Sequence, residues 1–314
     1  MNILAKEEQK YLNGEISEKE YFDLYFALKA KDENSFFGRM SHKTRKRIHK
    51  LVLSIIVIKN HLSGFSYEMI SDKHTAVDRP VIYAITHIGK FDIEVISEAI
   101  KDHYYLLSGD YEHLQGIMDG TYLLLNGVFY FNEHVKEDRT LVVDRMIEHL
   151  KAGGNVLYFP EGAWNMSPNL PMLPCYWGIV DVVRKSGASI IPIAIDQYGK
   201  HFKINIGENI DLSEYGESKE EKAKAINYLR DVLATLKWGI WETEHHNRNE
   251  IQQTEWDDYI SVRLNEWTYS GLEYIERLVF KPKGIYSRDD VFKHLDRIIP
   301  SKANAFLFSK RNHD

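Results

Sequence analysis

The chain has 314 residues, 44% of them apolar and 27% charged, a composition with material for one large core or two modest ones that excludes a disordered or fibrous chain. Its formal charge of −6 excludes a general nucleic-acid binder, because such proteins carry net basic surfaces that release counterions from the phosphate backbone. A single cysteine, Cys175, leaves no internal disulfide and, with scattered histidines, no zinc site, so a reducing cytoplasm and no metal are expected.

The opening residues, MNILAKEEQKYLNGEISEKE, lack the apolar centre of a secretory signal, and export by that route is not expected. Ser17 and Glu20 have the spacing of a capping box, and Tyr21, Leu24, Tyr25 and Leu28 then recur at helical period, which predicts an amphipathic helix. In the next segment, RMSHKTRKRIHKLVLSIIVIKNHL, Arg39, Lys43, Arg45, Lys46, Arg47 and Lys50 accompany a helical stripe of Ile48, Leu51, Ile55, Ile58 and Leu62. Basic residues beside an apolar stripe suit residues 39–62 to an anionic membrane interface, giving a protein peripheral on the inner face of the membrane. They suit a core helix with a solvated basic end equally well, and periodicity does not choose. The longest apolar run, Leu51 to Ile58, has eight residues where a spanning helix needs about 20.

From Pro80 to Ile210 short β-rich runs (VIYAIT, HYYLLSG, GVFYF, NVLYFP, SIIPIAI and FKINIG) alternate with helix-length stretches. Runs apolar on both faces predict an α/β fold with a mixed or largely parallel sheet flanked by helices. Beyond Asp211 the period is helical again, through Ile226, Leu229, Leu233 and Leu236 and then Trp256, Ile260, Leu264 and Trp267. The expected organisation is an N-terminal helical element over 1–75, an α/β core over 76–212 and a C-terminal helical extension over 213–314, packed as one unit.

Within the first run, YAITHIGKFDIEV sets His87 at a strand end and Asp92 five positions on. With Asp92 a turn into the following helix, its carboxylate reaches one imidazole nitrogen and leaves the other free to take a proton from a hydroxyl or amine. This is the base-and-orienter half of a catalytic triad, with the nucleophile supplied by the substrate, and no G-x-S-x-G stretch occurs. Taken alone, a histidine at a strand end is more often structural. In VLYFPEGAWN, Pro160, Glu161 and Gly162 end a strand sharply and expose backbone N–H groups, or simply form a turn with a solvated glutamate.

Four ordered blocks, H-I-G-K-F-D (His87 to Asp92), G-V-F-Y-F (Gly127 to Phe131), F-P-E-G (Phe159 to Gly162) and I-I-P-I-A-I (Ile190 to Ile195), resemble those of the glycerolipid acyltransferase family, which includes the lysophosphatidic acid acyltransferases. The resemblance implies that His87 deprotonates an acceptor hydroxyl, which attacks the thioester of an acyl-coenzyme A or acyl carrier protein. It further implies that Asp92 orients His87, and that Glu161 and Gly162, with Gly127 and Phe129 of the second block, belong to the substrate site. Lys90 is a candidate for the oxyanion, against a lysine facing solvent. No cofactor beyond the thioester co-substrate is implied.

The family carries cations after the second block, after Glu-Gly and before the next glycine; here those places hold Asn132 and Glu133, Ala163 and Trp164, and Tyr176 and Trp177. A pocket lined by Trp164 and Tyr176 suits an uncharged polar surface or an acyl chain better than a phosphate monoester. The acceptor is therefore expected to be a lyso-lipid or other polar molecule and not lysophosphatidic acid, unless Lys90, Arg139, Arg184 or Lys200 binds phosphate from a displaced position. The competing readings are an acyl-thioester hydrolase and a lipid-binding protein without turnover. His245 and His246 read as a solvated loop, and Trp238, Trp241, Trp256 and Trp267 as core aromatics rather than an acyl channel.

Overall fold

The computed structural model describes residues 3–244, apart from 90, 117, 134, 166–170 and 174. Three helices come first: α1 (Ile3–Leu12), α2 (Glu18–Glu33) and α3 (His42–Ser63). The Ser17 hydroxyl accepts the Glu20 N–H while Glu20 accepts the Ser17 N–H, the reciprocal capping box read from the sequence, and the stripe behind it buries Tyr21 and Tyr25. The α/β part then runs β1 (Ser66–Asp72), β2 (Val81–Ile85), α4 (Asp92–Ile100), β3 (Tyr105–Ser108), α5 (Tyr111–Leu114), α6 (Met118–Asn126), β4 (Val128–Tyr130), α7 (Lys136–Lys151), β5 (Val156–Tyr158), α8 (Gly178–Ser186), β6 (Ser189–Tyr198), β7 (His201–Ile206) and α9 (Lys219–Glu244).

All six apolar runs become strands of one sheet ordered β1-β7-β6-β2-β5-β3-β4 among the described residues. Strands β2 to β6 are parallel to their neighbours, and β7 returns antiparallel to β6 with β1 parallel to it, so the sheet is mixed and largely parallel. The seventh strand, β1, falls within the stretch expected to be helical. Its residues SYEMISD are all exposed or half-buried along a sheet edge, so it lacks the apolar run that marks the others.

Successive strand residues face opposite layers. Ile82 and Ala84 pack into a core with α7, α8 and α9, whereas Val81, Tyr83 and Ile85 pack into a second with α1, α2, α4, α5 and α6. Trp238 and Trp241 of α9 are buried 5.4 Å apart in the first core, as the packing reading has it.

α3 is inverted relative to an ordinary surface helix. Its inward face carries Arg45, His49, Val52, Ile56 and Asn60, while Leu51, Ile55, Ile58 and Leu62 stand 65%, 57%, 60% and 80% exposed. Polar anchors explain the choice of face. Arg45 donates to the carbonyls of Leu124 and Leu125 at the end of α6, Asn60 donates to Glu98 at 2.8 Å, and His49 shares a 3.0 Å bond with Asn126. None of the described helices is long and apolar enough to cross a membrane.

Candidate active site

Parallel strands deliver their following loops to one edge, and the edge above β2, β5 and β6 gathers the first, third and fourth blocks. β2 ends at Ile85, and Thr86 is locked to β6: its hydroxyl accepts the Ile195 N–H at 3.0 Å and its own N–H donates to the Ile193 carbonyl at 3.1 Å. His87 is thus the first residue to leave the sheet. Asp92 opens α4, fully buried, where the helix dipole favours a carboxylate.

The spacing does what the sequence anticipates. His87 Nδ1 lies 2.8 Å from Asp92 Oδ2, and the same oxygen accepts the N–H groups of Ile88 at 3.0 Å and Gly89 at 3.2 Å. A carboxylate only accepts, so Nδ1 carries the proton and Nε2 presents its lone pair. Ile88 and Gly89, committed to Asp92, are not oxyanion donors. The imidazole side chain is 17% exposed, stacked on Phe159 at 4.0 Å between ring centres and met edge-on by Trp164 at 6.0 Å. An aromatic wall beside His87 restricts water and strengthens the His–Asp interaction.

Glu161 is 3% exposed, and both its oxygens are occupied within the protein: Oε1 accepts the His87 N–H at 2.9 Å and Oε2 the Leu173 N–H at 2.8 Å. Burial pushes its pKa up to about 7, opposed by those two bonds and then by the charges of Lys237 and His87. Lys237 is itself buried on α9, 3.0 Å from Asp196, and donates to the Ile195 carbonyl that Thr86 also meets. Glu161 is therefore a bracket holding the His87 turn to the 171–173 loop, a role that its motif alone did not indicate. The Lys237 contribution, from a helix far downstream in the chain, has no local sequence signal at all.

Of the other sequence candidates, Gly162 takes φ +63° at the turn after Glu161, with the Tyr176 ring against its face, and Trp164 and Tyr176 both lie beside this turn, the former buried and the latter 64% exposed. The second block contributes differently. Gly127 sits at φ +120° so that Tyr105 can pack where a Cβ would stand, and Phe129 packs against Tyr105 and His149. Lys90, His245, His246, Trp256 and Trp267 lie outside the described residues.

Where the family pattern would place a cation, Asn132 is buried, its N–H on Asp138 at 2.7 Å and its amide 3.4 Å from Glu112, whose pKa burial raises to about 8. The displaced cations are engaged elsewhere: Arg139 on the Glu133 carbonyl, Arg184 on Gly216 and Glu217, Lys200 on the Ser63 carbonyl. Burial, followed by the Glu161 charge, pushes the Cys175 thiol up, which disfavours a thiolate there.

Residues 66–196 match the family model described as Acyltransferase. Among solved structures the fold is similar to the 1-acyl-sn-glycerophosphate (LPA) acyltransferase PlsC from Thermotoga maritima, with a TM-score of 0.51 and 19% identity over 71% of this chain and 89% of that one. A search of curated proteins finds no match. Residues 66–196, which carry all four blocks, thus match an acyltransferase family model on a fold similar to that of PlsC.

Proposed function

We propose that the protein transfers a fatty acyl group from an acyl-thioester, acyl-CoA or acyl carrier protein, to a hydroxyl of a lyso-lipid or other polar acceptor, working at the cytoplasmic face of a membrane. The observation that carries this is the 2.8 Å bond between His87 and the fully buried Asp92, which leaves Nε2 as the free base beside an aromatic wall. Nε2 takes the acceptor's O–H proton as the oxygen attacks the thioester carbonyl. The tetrahedral oxyanion then collapses, the C–S bond breaks, and the departing thiolate takes the proton back from the imidazolium, leaving an ester and a free thiol. Because a thioester is already activated, positioning and one proton transfer supply much of the acceleration.

The acceptor is not lysophosphatidic acid. Support comes from the Asn132 position, where a buried amide and the neutralised Glu112 stand in place of a cation, and from the engagement of Arg139, Arg184 and Lys200 elsewhere. Turnover of lysophosphatidic acid and of neutral lyso-lipids, compared with one acyl-thioester donor, tests it: neutral acceptors are expected to be favoured, and efficient acylation of lysophosphatidic acid sinks the assignment. Release of free fatty acid independent of any acceptor would instead make the protein a hydrolase. Membrane contact through residues 39–62 is supported by the outward turn of the α3 apolar stripe.

A further inference from the structure

Lys237 lies in α9, outside residues 66–196, yet its ammonium stands at the back of the His87 turn. The residue is buried at the end of β6, where it donates to the Ile195 carbonyl and lies 3.0 Å from Asp196 Oδ1. Ile195 also pins Thr86: its N–H donates to the Thr86 hydroxyl at 3.0 Å, and that hydroxyl lies 3.3 Å from its carbonyl. Thr86 leads directly into His87, whose own N–H is held by Glu161 at 2.9 Å. Hydrogen bonding at β6 does not require a cation here. Asp196 already accepts from the Trp241 indole at 2.7 Å, the Tyr198 hydroxyl at 3.1 Å and the Gln197 N–H at 3.0 Å. Burying an ammonium is costly, so the charge itself calls for a function.

Glu161 is the group on which that charge acts. Each of its oxygens accepts an N–H, so a proton added to either one turns an acceptor toward a donor and weakens the bracket around His87. Burial favours that neutral form, while the two N–H bonds and then the Lys237 charge oppose it. The other ionisable groups nearby do not replace Lys237. His87 becomes positive only during proton transfer, Cys175 has Arg230 of α9 beside it, and Lys203, opposite Asp196 on β7, is tied to Thr243 at 3.0 Å and Glu68 at 3.4 Å. We propose that Lys237 is a positioning residue for acyl transfer: its charge keeps Glu161 a carboxylate, and the bracket so maintained holds the His87 turn where Nε2 meets the acceptor. This rests on the acyl-transfer reading above and makes α9 part of the catalytic unit.

Two readouts on the full-length protein test it, the pH profile of kcat/KM and the carbon-13 titration of the Glu161 carboxyl, assigned against Glu161→Gln. The variants are Lys237→Met, Lys237→Arg and the pair Lys237→Met/Asp196→Asn, which removes both charges and leaves no uncompensated buried carboxylate. Glu161 is pushed up to about 7, the carboxylate is the working form, and turnover is therefore lost as pH falls through that value. Removing the cation is expected to raise the carboxyl midpoint by about one pH unit in Lys237→Met and in the pair variant, and the acidic limb of kcat/KM with it. Turnover then falls about fivefold at pH 7 and recovers by about pH 9.5, while Lys237→Arg keeps the wild-type midpoint. A carboxyl midpoint unmoved in both neutral variants overturns the assignment. So does a loss of turnover by the same factor at every pH, the mark of a purely structural lysine, or a shift in Lys237→Arg equal to that in Lys237→Met. The carboxyl titration needs no turnover, which keeps the two readings apart. An unmoved midpoint removes the Lys237 role and leaves acyl transfer standing, whereas a shifted midpoint in a protein that transfers no acyl chain keeps Lys237 on the bracket and removes the acyl-transfer reading.

Discussion

Replacing Asp92 by asparagine isolates the charge from the geometry. The three donors on Oδ2, from His87, Ile88 and Gly89, retain an oxygen acceptor in a carboxamide of the same shape, so the turn is expected to hold. What is lost is the attraction between carboxylate and imidazolium as His87 takes the acceptor proton. With charge centres about 4 Å apart and an effective dielectric of about 20, that attraction is on the order of 4 kcal/mol. The neutral base feels little of it, so the loss falls on the transition state and lowers kcat by about 10³-fold while leaving the donor KM within a few-fold. Steady-state transfer with a saturating acyl-thioester reads both parameters, and a denaturant melt confirms the fold. A kcat within tenfold of wild type in a stably folded variant would falsify the assignment of Asp92 as the partner of a proton-accepting His87.

Three further outcomes follow from individual contacts. Glu161→Ala leaves the buried N–H groups of His87 and Leu173 without their carboxylate and is expected to cost about 3–6 kcal/mol in urea melts, with loss of amide-exchange protection at those two positions; protection unchanged at both would remove the bracket role. Gly127→Ala drives a Cβ to 2.3 Å from the rigid Tyr105 ring at φ +120°, whereas Gly162→Ala meets the exposed Tyr176 side chain at φ +63°; the first is expected to cost about 3 kcal/mol and the second about 1, and equal melting losses would contradict the packing described. Burial, followed by the charge of His42, depresses His149 from its ordinary 6.5 to about 4, so its contribution to stability is present above pH 6.5 and is lost as pH falls toward 4. Between pH 7.5 and 5.5 the stability of His149→Gln relative to wild type is expected to improve by about 1.3 kcal/mol, and comparison with wild type cancels Glu112 and Glu161, whose raised values act in the opposite sense; a pH-independent difference would refute the depressed value.

What the sequence made legible was what local pattern encodes. Six apolar runs became six strands, the Ser17–Glu20 spacing became a reciprocal cap, and the H-x4-D spacing became a 2.8 Å bond, because each depends on residues a few positions apart. β1 escaped notice because an edge strand needs only half a face of apolar residues. The orientation of α3 was undecidable from periodicity, since the apolar stripe marks a face without saying whether protein or lipid covers it; long-range bonds from Arg45, His49 and Asn60 decide it. Nor did any local pattern announce the cluster in which His42, His49, His103 and His149 bring rings within 5.0–5.4 Å of one another in successive pairs, joining α3 to the segment that leads into β3 and to α7. Block membership likewise overstated proximity: Gly127 and Phe129 belong to a conspicuous block, yet their side of the sheet serves Tyr105 packing, while Phe159 and Lys237 shape the site around His87.

Product mass tests the central claim most directly. Purified protein incubated with a panel of acyl-CoA and acyl carrier protein thioesters and a lyso-lipid extract is expected to yield a new mass equal to acceptor plus acyl chain, with one free thiol released per product, and His87→Ala is expected to yield none above background. No acceptor-dependent product from any donor, or the same product from His87→Ala as from wild type, would contradict acyl transfer through His87.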